Sequence, residues 1–156
     1  ITVHPYMGED SLQPFLARHE AGVFVLCRTS NPGGADLQDL ELADGDLVSE
    51  RVADLAASWN ERGNVGLVVG ATAPDELERI RERVPSLPFL VPGVGAQGGD
   101  AEAAVEHGLA SRPGSDAGVG LVNSSRGIIF AGEGETFDRA AGEAAKRLKR
   151  RLNQYR

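Results

Sequence analysis

Five short apolar runs punctuate the chain: ITV at 1–3, GVFVLC at 22–27, VGLVVG at 65–70, PFLV at 88–91 and VGLV at 119–122. Each is continuous rather than alternating, which is the pattern of a strand buried on both faces. The stretches between them carry helical spacing instead. Leu12, Phe15, Leu16 and His19 fall on one helical face, and Val48, Val52, Leu55, Ala56 and Trp59 on another. Leu77, Ile80 and Val84 repeat the period, DAEAAVEHG follows at 100–108, and a last helix from about Thr136 carries Phe137, Ala140, Ala141, Ala144 and Leu148. Pro74 followed by Asp75 is a helix start, because proline loses no hydrogen bond at the first helical position.

Strand then helix, five times over, predicts a parallel sheet with crossover helices in one domain spanning 1–156. Two architectures fit: an open doubly wound sheet, or about five βα units of an incomplete (β/α)8 barrel. In both, chemistry sits at the C-terminal ends of the strands. Those ends read HPYMG, CRTSNPGG, GATAPDE, PGVGAQGG and NSSRGI, every one polar or glycine-rich. An open sheet has one crevice, where the strand order reverses, so five loaded ends favour a barrel mouth. NPGGADLQDLELADG at 31–45 and ASRPGSDAG at 110–118 are expected to be loops. An incomplete barrel would leave the edges of its first and last strands unpaired, which invites self-association.

Composition narrows the partners. A net charge of −7 argues against a nucleic-acid surface, which needs a basic patch. The one basic cluster, KRLKRR at 146–151, lies on a helical pattern and reads as a solvated face. Cys27 is the sole cysteine, so neither an internal disulfide nor a cysteine zinc site can form within the chain. No run is long enough to span a membrane and none has the form of a signal peptide, so a cytoplasmic location is expected. The opening residues ITVHPYMG already read as a strand, as if the chain began inside a domain. Lys146 and Lys149 are the only lysines, which limits any chemistry that requires one.

Gly93, Gly95 and Gly98 have the spacing G-x-G-x-x-G, after a strand and before a helix. A dinucleotide turn of this kind needs an acidic residue at the end of the next strand, roughly 20 residues on, to bind a ribose hydroxyl. The next strand ends instead in Asn123, Ser124, Ser125 and Arg126, and Asp116 precedes it. A phosphate site of the barrel type is the better match. Its glycine turn and a helix start expose backbone N–H groups, and Arg126 offers two parallel hydrogen bonds to a phosphate. Arg28, Thr29, Ser30 and Asn31 add polar groups at a second strand end, where Ser30 and Asn31 could bind a heterocycle or simply build a turn. His4 ends the first strand, as a base or a structural histidine; His19 and His107 read as structural.

Taken together, ITVHPYMGEDSLQPFL, GVFVLCRTSNPGG, GLVVGAT, PFLVPGVGAQGGD and VNSSRGIIFA resemble the orotidine 5′-phosphate decarboxylase family, in its longer bacterial and archaeal subtype. The resemblance covers nearly the whole chain, in the family's order. It implies strands 4 to 8 of a TIM barrel, acting on orotidine 5′-monophosphate to give UMP and carbon dioxide with no cofactor and no metal. By motif, Ser30 would contact the pyrimidine and Gln97 would span base and phosphate. Arg126 would grip the phosphate beside the backbone N–H of Ser125, and Pro92 and Val94 would line the pocket. The loop after Gln97 would close over the phosphate. The intact enzyme of the family is expected to be a homodimer, with no nucleic-acid or membrane partner.

One departure is large. The family's catalytic motif, Asp-x-Lys-x-x-Asp, occurs nowhere in these residues, and both lysines fall on the last helix. No catalytic residue is therefore assigned, and the chain alone is expected to be inactive. The alternatives are a non-catalytic nucleotide-phosphate-binding module and, more remotely, a dinucleotide-binding oxidoreductase domain.

Overall fold

The computed structural model describes residues 1–95, 99–112 and 115–156, the side chains of 111, 112 and 115–118 excepted. Strands β1 (Thr2–Val3), β2 (Val23–Arg28), β3 (Val65–Val69), β4 (Phe89–Pro92), β5 (Ala110–Arg112) and β6 (Ser115–Asn123) form one sheet in the order β1-β2-β3-β4-β6-β5. All neighbours run parallel except β5, which pairs antiparallel with β6. The helices are α1 (Glu9–Leu16), α2 (Ala35–Gln38), α3 (Val48–Ser58), α4 (Pro74–Arg83), α5 (Ala101–Glu106), α6 (Ser125–Ile129) and α7 (Phe137–Leu152).

The parallel strands follow chain order with no reversal. Right-handed crossovers that all step the same way put their helices on one face of the sheet. The packing agrees: Leu12 and Leu16 of α1, Ala53 and Ala56 of α3, and Leu77 and Ile80 of α4 share one core with Val25, Leu67, Phe89 and Val91. A doubly wound sheet needs a switch point in strand order. The described strands have none, so they offer no crevice of the kind a dinucleotide requires.

The other face of the sheet is the inner wall of a barrel. Leu90 of β4 and Leu121 of β6 are partners in register, so both point to that side. Exposure there rises to 56% at Leu121, whereas every residue of β3 is buried. The middle of the arc is thus a finished core, and the inner wall beside β6 is open among the described residues.

Local sequence accounts for the helix positions. Pro74 opens α4, with Asp75 and Glu76 in its first turn and Arg81 and Arg83 in its last, matching the helix dipole at both ends. Asp100 caps α5 by accepting from the N–H groups of Glu102 (2.8 Å) and Ala103 (3.4 Å).

Several details depart from expectation. The 110–118 stretch is not all loop: Ala110 pairs with Val119 and Arg112 with Ser115, so β5 covers the edge of the last strand. The 31–45 stretch holds a 3-10 turn at Pro32–Gly34 and the short α2. Phe15, Leu55 and Phe137 lie on apolar helical faces in sequence yet are exposed. A bulge in β2 pairs Leu26 with Val68 and Arg28 with Val69, skipping Cys27. Bulges at a barrel rim re-aim side chains, and this one delivers Arg28 to the strand-end face. No helix among the described residues is long and apolar enough to cross a membrane.

Candidate functional site

The site is built from four strand ends. At the end of β4, Gly93 and Gly95 take φ of 98° and 92°, a region that residues with a Cβ enter only with strain. Close by, the Gly99 N–H donates to Gly93 O (3.1 Å) and the Asp100 N–H to Ala71 O (3.2 Å). Val94, between the two glycines, is 1% exposed and anchors the turn in the core.

At the end of β6, Asn123 lies in register with Pro92 and donates from Nδ2 to Ser125 Oγ (3.3 Å). Helix α6 starts immediately after. Its cap residue Ser124 makes no side-chain cap bond, which leaves the N–H groups of the first turn without that partner. Pro92, Gly93, Val94, Asn123, Ser124, Ser125 and Arg126 together line a cavity of about 100 Å³.

A second cavity, about 400 Å³, lies at the ends of β2 and β3, lined by Arg28, Ser30, Asn31, Pro32, Thr72 and Arg126. Arg126 is common to both, so the two cavities share it as a wall. Arg28 has its charge answered internally. Its Nη2 donates to Asp39 Oδ2 (3.0 Å) and its Nη1 to Thr29 O (2.6 Å). Its Nε lies 2.8 Å from Asp39 Oδ1, an ion pair without hydrogen-bond geometry. Arg126, in contrast, is exposed on the shared wall. The arrangement suits an anion at the smaller cavity, held by a planar guanidinium and backbone N–H groups. It suits a planar polar group at the larger one, beside Ser30 and Asn31.

Five of the six residues singled out in the sequence are therefore gathered here: Ser30, Pro92, Val94, Ser125 and Arg126. The sixth, Gln97, lies outside the described residues. His4 is elsewhere, on an apolar cavity of about 480 Å³ with Tyr6, Leu37, Val48 and Val52 among its walls. Lys146 and Lys149 are exposed on α7, where Lys146 pairs with Glu143 at 2.9 Å. Thr72 and Asn123 were not singled out. Asn123 directly follows a strand run and Thr72 comes two residues after one, and that position was the one available signal.

Residues 1–140 match the sequence profile of the orotidine 5′-phosphate decarboxylase / HUMPS family. The chain belongs to this decarboxylase family. An orotidine 5′-phosphate decarboxylase of Halorubrum lacusprofundi is 72% identical over all of this chain, which corresponds to 59% of that relative. Among solved structures, the Leishmania donovani UMP synthase superposes with a TM-score of 0.79 at 47% identity, over 97% of this chain and 33% of that one. The Leishmania donovani OMP decarboxylase gives 0.77 at 44%, over 98% of this chain and 57% of that one. The chain thus spans under three fifths of the length of the curated decarboxylases that it matches. Its sheet is an incomplete (β/α)8 barrel of the decarboxylase family, and the two cavities lie on the face where that fold carries its chemistry.

Proposed function

We propose that these residues form the base- and phosphate-holding part of an orotidine 5′-phosphate decarboxylase, which converts orotidine 5′-monophosphate to UMP and carbon dioxide. The observation that carries this reading is the meeting of four strand ends around Arg126, which lines both a small anion-sized cavity and a larger polar one. In this reading the phosphate sits against Arg126 and the Ser125 N–H, the pyrimidine against Ser30, and Pro92 and Val94 shape the wall. Gln97 would link the two ends of the nucleotide. Decarboxylation breaks the C6–carboxylate bond, leaves its electron pair on C6, and requires a proton there. None of Ser30, Pro92, Val94, Ser125 or Arg126 is suited to supply it, and both lysines are on α7. The proton donor and its flanking carboxylates would come from outside these 156 residues, in an intact homodimeric enzyme of the cytoplasm.

The test is turnover. The purified chain with orotidine 5′-monophosphate should release no UMP. Adding the part of the Halorubrum lacusprofundi relative that the chain does not cover should restore it. Turnover by the chain alone would overturn the assignment of the donor to another segment. The missing Asp-x-Lys-x-x-Asp motif also favours a second reading, a nucleotide-binding module without catalysis. That reading takes over if UMP binds but no complementing segment restores turnover.

A further inference from the structure

The strongest constraint on Ser30 comes from a neighbouring strand end rather than from its own loop. Gly70 follows β3 and packs close against Ser30: a Cβ built on Gly70 would come within 2.8 Å of the N, Cα and Cβ of Ser30. Two residues on, Thr72 Oγ1 donates to Ser30 O at 3.0 Å. The Gly70 N–H donates to Arg28 O (2.7 Å) and the Ala71 N–H to Pro92 O (2.9 Å). The end of β3 is therefore stitched to β2 on one side and to β4 on the other.

The residue before Ser30 is held as firmly. The Thr29 N–H donates to Gln38 Oε1 (2.9 Å), Gln38 Nε2 donates to Thr29 Oγ1 (3.1 Å), and Arg28 binds Thr29 O. With both carbonyls engaged and its backbone seated on Gly70, Ser30 retains only the choice among χ1 wells. Its hydroxyl is placed by contacts that lie behind it.

We propose that Gly70 and Thr72 are positioning residues that fix where Ser30 presents its hydroxyl, and so govern recognition of the pyrimidine without binding it. The inference rests on the reading of Ser30 as the base contact and Arg126 as the phosphate contact. The Thr72 hydroxyl proton is committed to Ser30 O, and Gly70 has no side chain to offer a ligand. Neither residue lines the smaller cavity assigned to the phosphate, so the two ends should respond separately.

The experiment is calorimetric titration of the chain and its variants with UMP and with ribose 5-phosphate, which lacks the base. Thr72→Val should weaken UMP by up to about tenfold, the upper end of what one hydrogen bond contributes net. Ribose 5-phosphate should change less than about twofold, within the error of an uncoupled site. Thr72→Ser keeps the hydroxyl and should restore the wild-type ratio of the two affinities. Gly70→Ala, which crowds Ser30, should lower that ratio as Thr72→Val does. In a Ser30→Ala background, Thr72→Val should have no further effect on UMP, since a residue acting through Ser30 is silent without it.

A Thr72→Val effect that persists in that background, or equal losses for both ligands, would overturn the inference. A wild-type chain that binds ribose 5-phosphate and UMP equally well would remove the base contact itself. A wild-type chain that binds neither overturns the underlying reading of the site, and the inference with it.

Discussion

The Arg81 guanidinium lies 3.6 Å above the centroid of the Phe89 ring, at the end of β4 opposite the two cavities. Arg81 is 8% exposed and has no carboxylate partner among the described residues. Instead it donates to five backbone carbonyls: Val84, Pro85 and Leu87 after α4, and His107 and Gly108 after α5. Burial lowers its pKa to about 10, which still leaves it charged at neutral pH. One side chain thus satisfies two chain reversals and stacks on the core. Arg81→Met should cost about 3 kcal/mol in urea denaturation, because it strands several buried acceptors. Arg81→Lys should recover only part, since three ammonium donors cannot match a planar fork. Neither should alter UMP affinity at the other end of the sheet. A nucleotide-binding defect in a folded Arg81 variant would contradict this separation of stability and function.

The lone thiol should be inert. Cys27 is 2% exposed and its Sγ donates to Ser49 O at 3.1 Å. Burial, aided by the charge of Glu50, pushes its pKa well above the ordinary thiol range. A thiol held in its protonated form does not attack disulfide reagents. Labelling by an aromatic disulfide at about pH 8 should be negligible in the folded chain and complete in denaturant. Fast labelling of the folded chain would show that the bulge in β2 opens.

A pH-dependent contribution should come from Arg83. It donates to Asp46 (3.1 and 2.6 Å) and to Asp54 (2.7 Å for each bond), joining α4 to α3 and the loop before it. The Arg83 hydrogen bonds hold the Asp46 carboxyl below its ordinary 3.8. A carboxyl with a lowered folded pKa adds stability that is fully present above the unfolded value and is lost as pH falls through the folded one. The melting temperature of the wild type should exceed that of Asp46→Asn at about pH 6, and the gap should close as the pH falls below the ordinary 3.8 of the carboxyl. It should also shrink with added salt, because the network is on the surface. A gap independent of pH would assign the effect to packing instead.

The sequence revealed the parallel arc because its strands are buried on both faces, which leaves short continuous runs such as Val65–Val69 alternating with stretches of helical spacing. It hid β5, because Ala110–Arg112 is held by pairing with β6 and carries no apolar pattern of its own. It misplaced Phe15, Leu55 and Phe137, because periodicity gives a helical face without saying how wide a surface meets it. The site followed the same division. Ser125 and Arg126 were legible as a local motif after a strand. Thr72 was not, because its partner Ser30 is 42 positions away and the two meet only where β2 and β3 end side by side. The true role of Arg28 was hidden likewise, since Asp39 reaches it only after the turn and α2 have folded back.

The central claim is that Arg126 joins a phosphate cavity to a base cavity. Titration of UMP into the purified chain and its Arg126→Ala variant, with NAD as a control, tests it most directly. Loss of a charged, two-pronged phosphate contact should weaken UMP by about ten- to a hundredfold. NAD should not bind either protein. UMP binding unchanged by Arg126→Ala, or NAD binding indifferent to Arg126, would contradict the account.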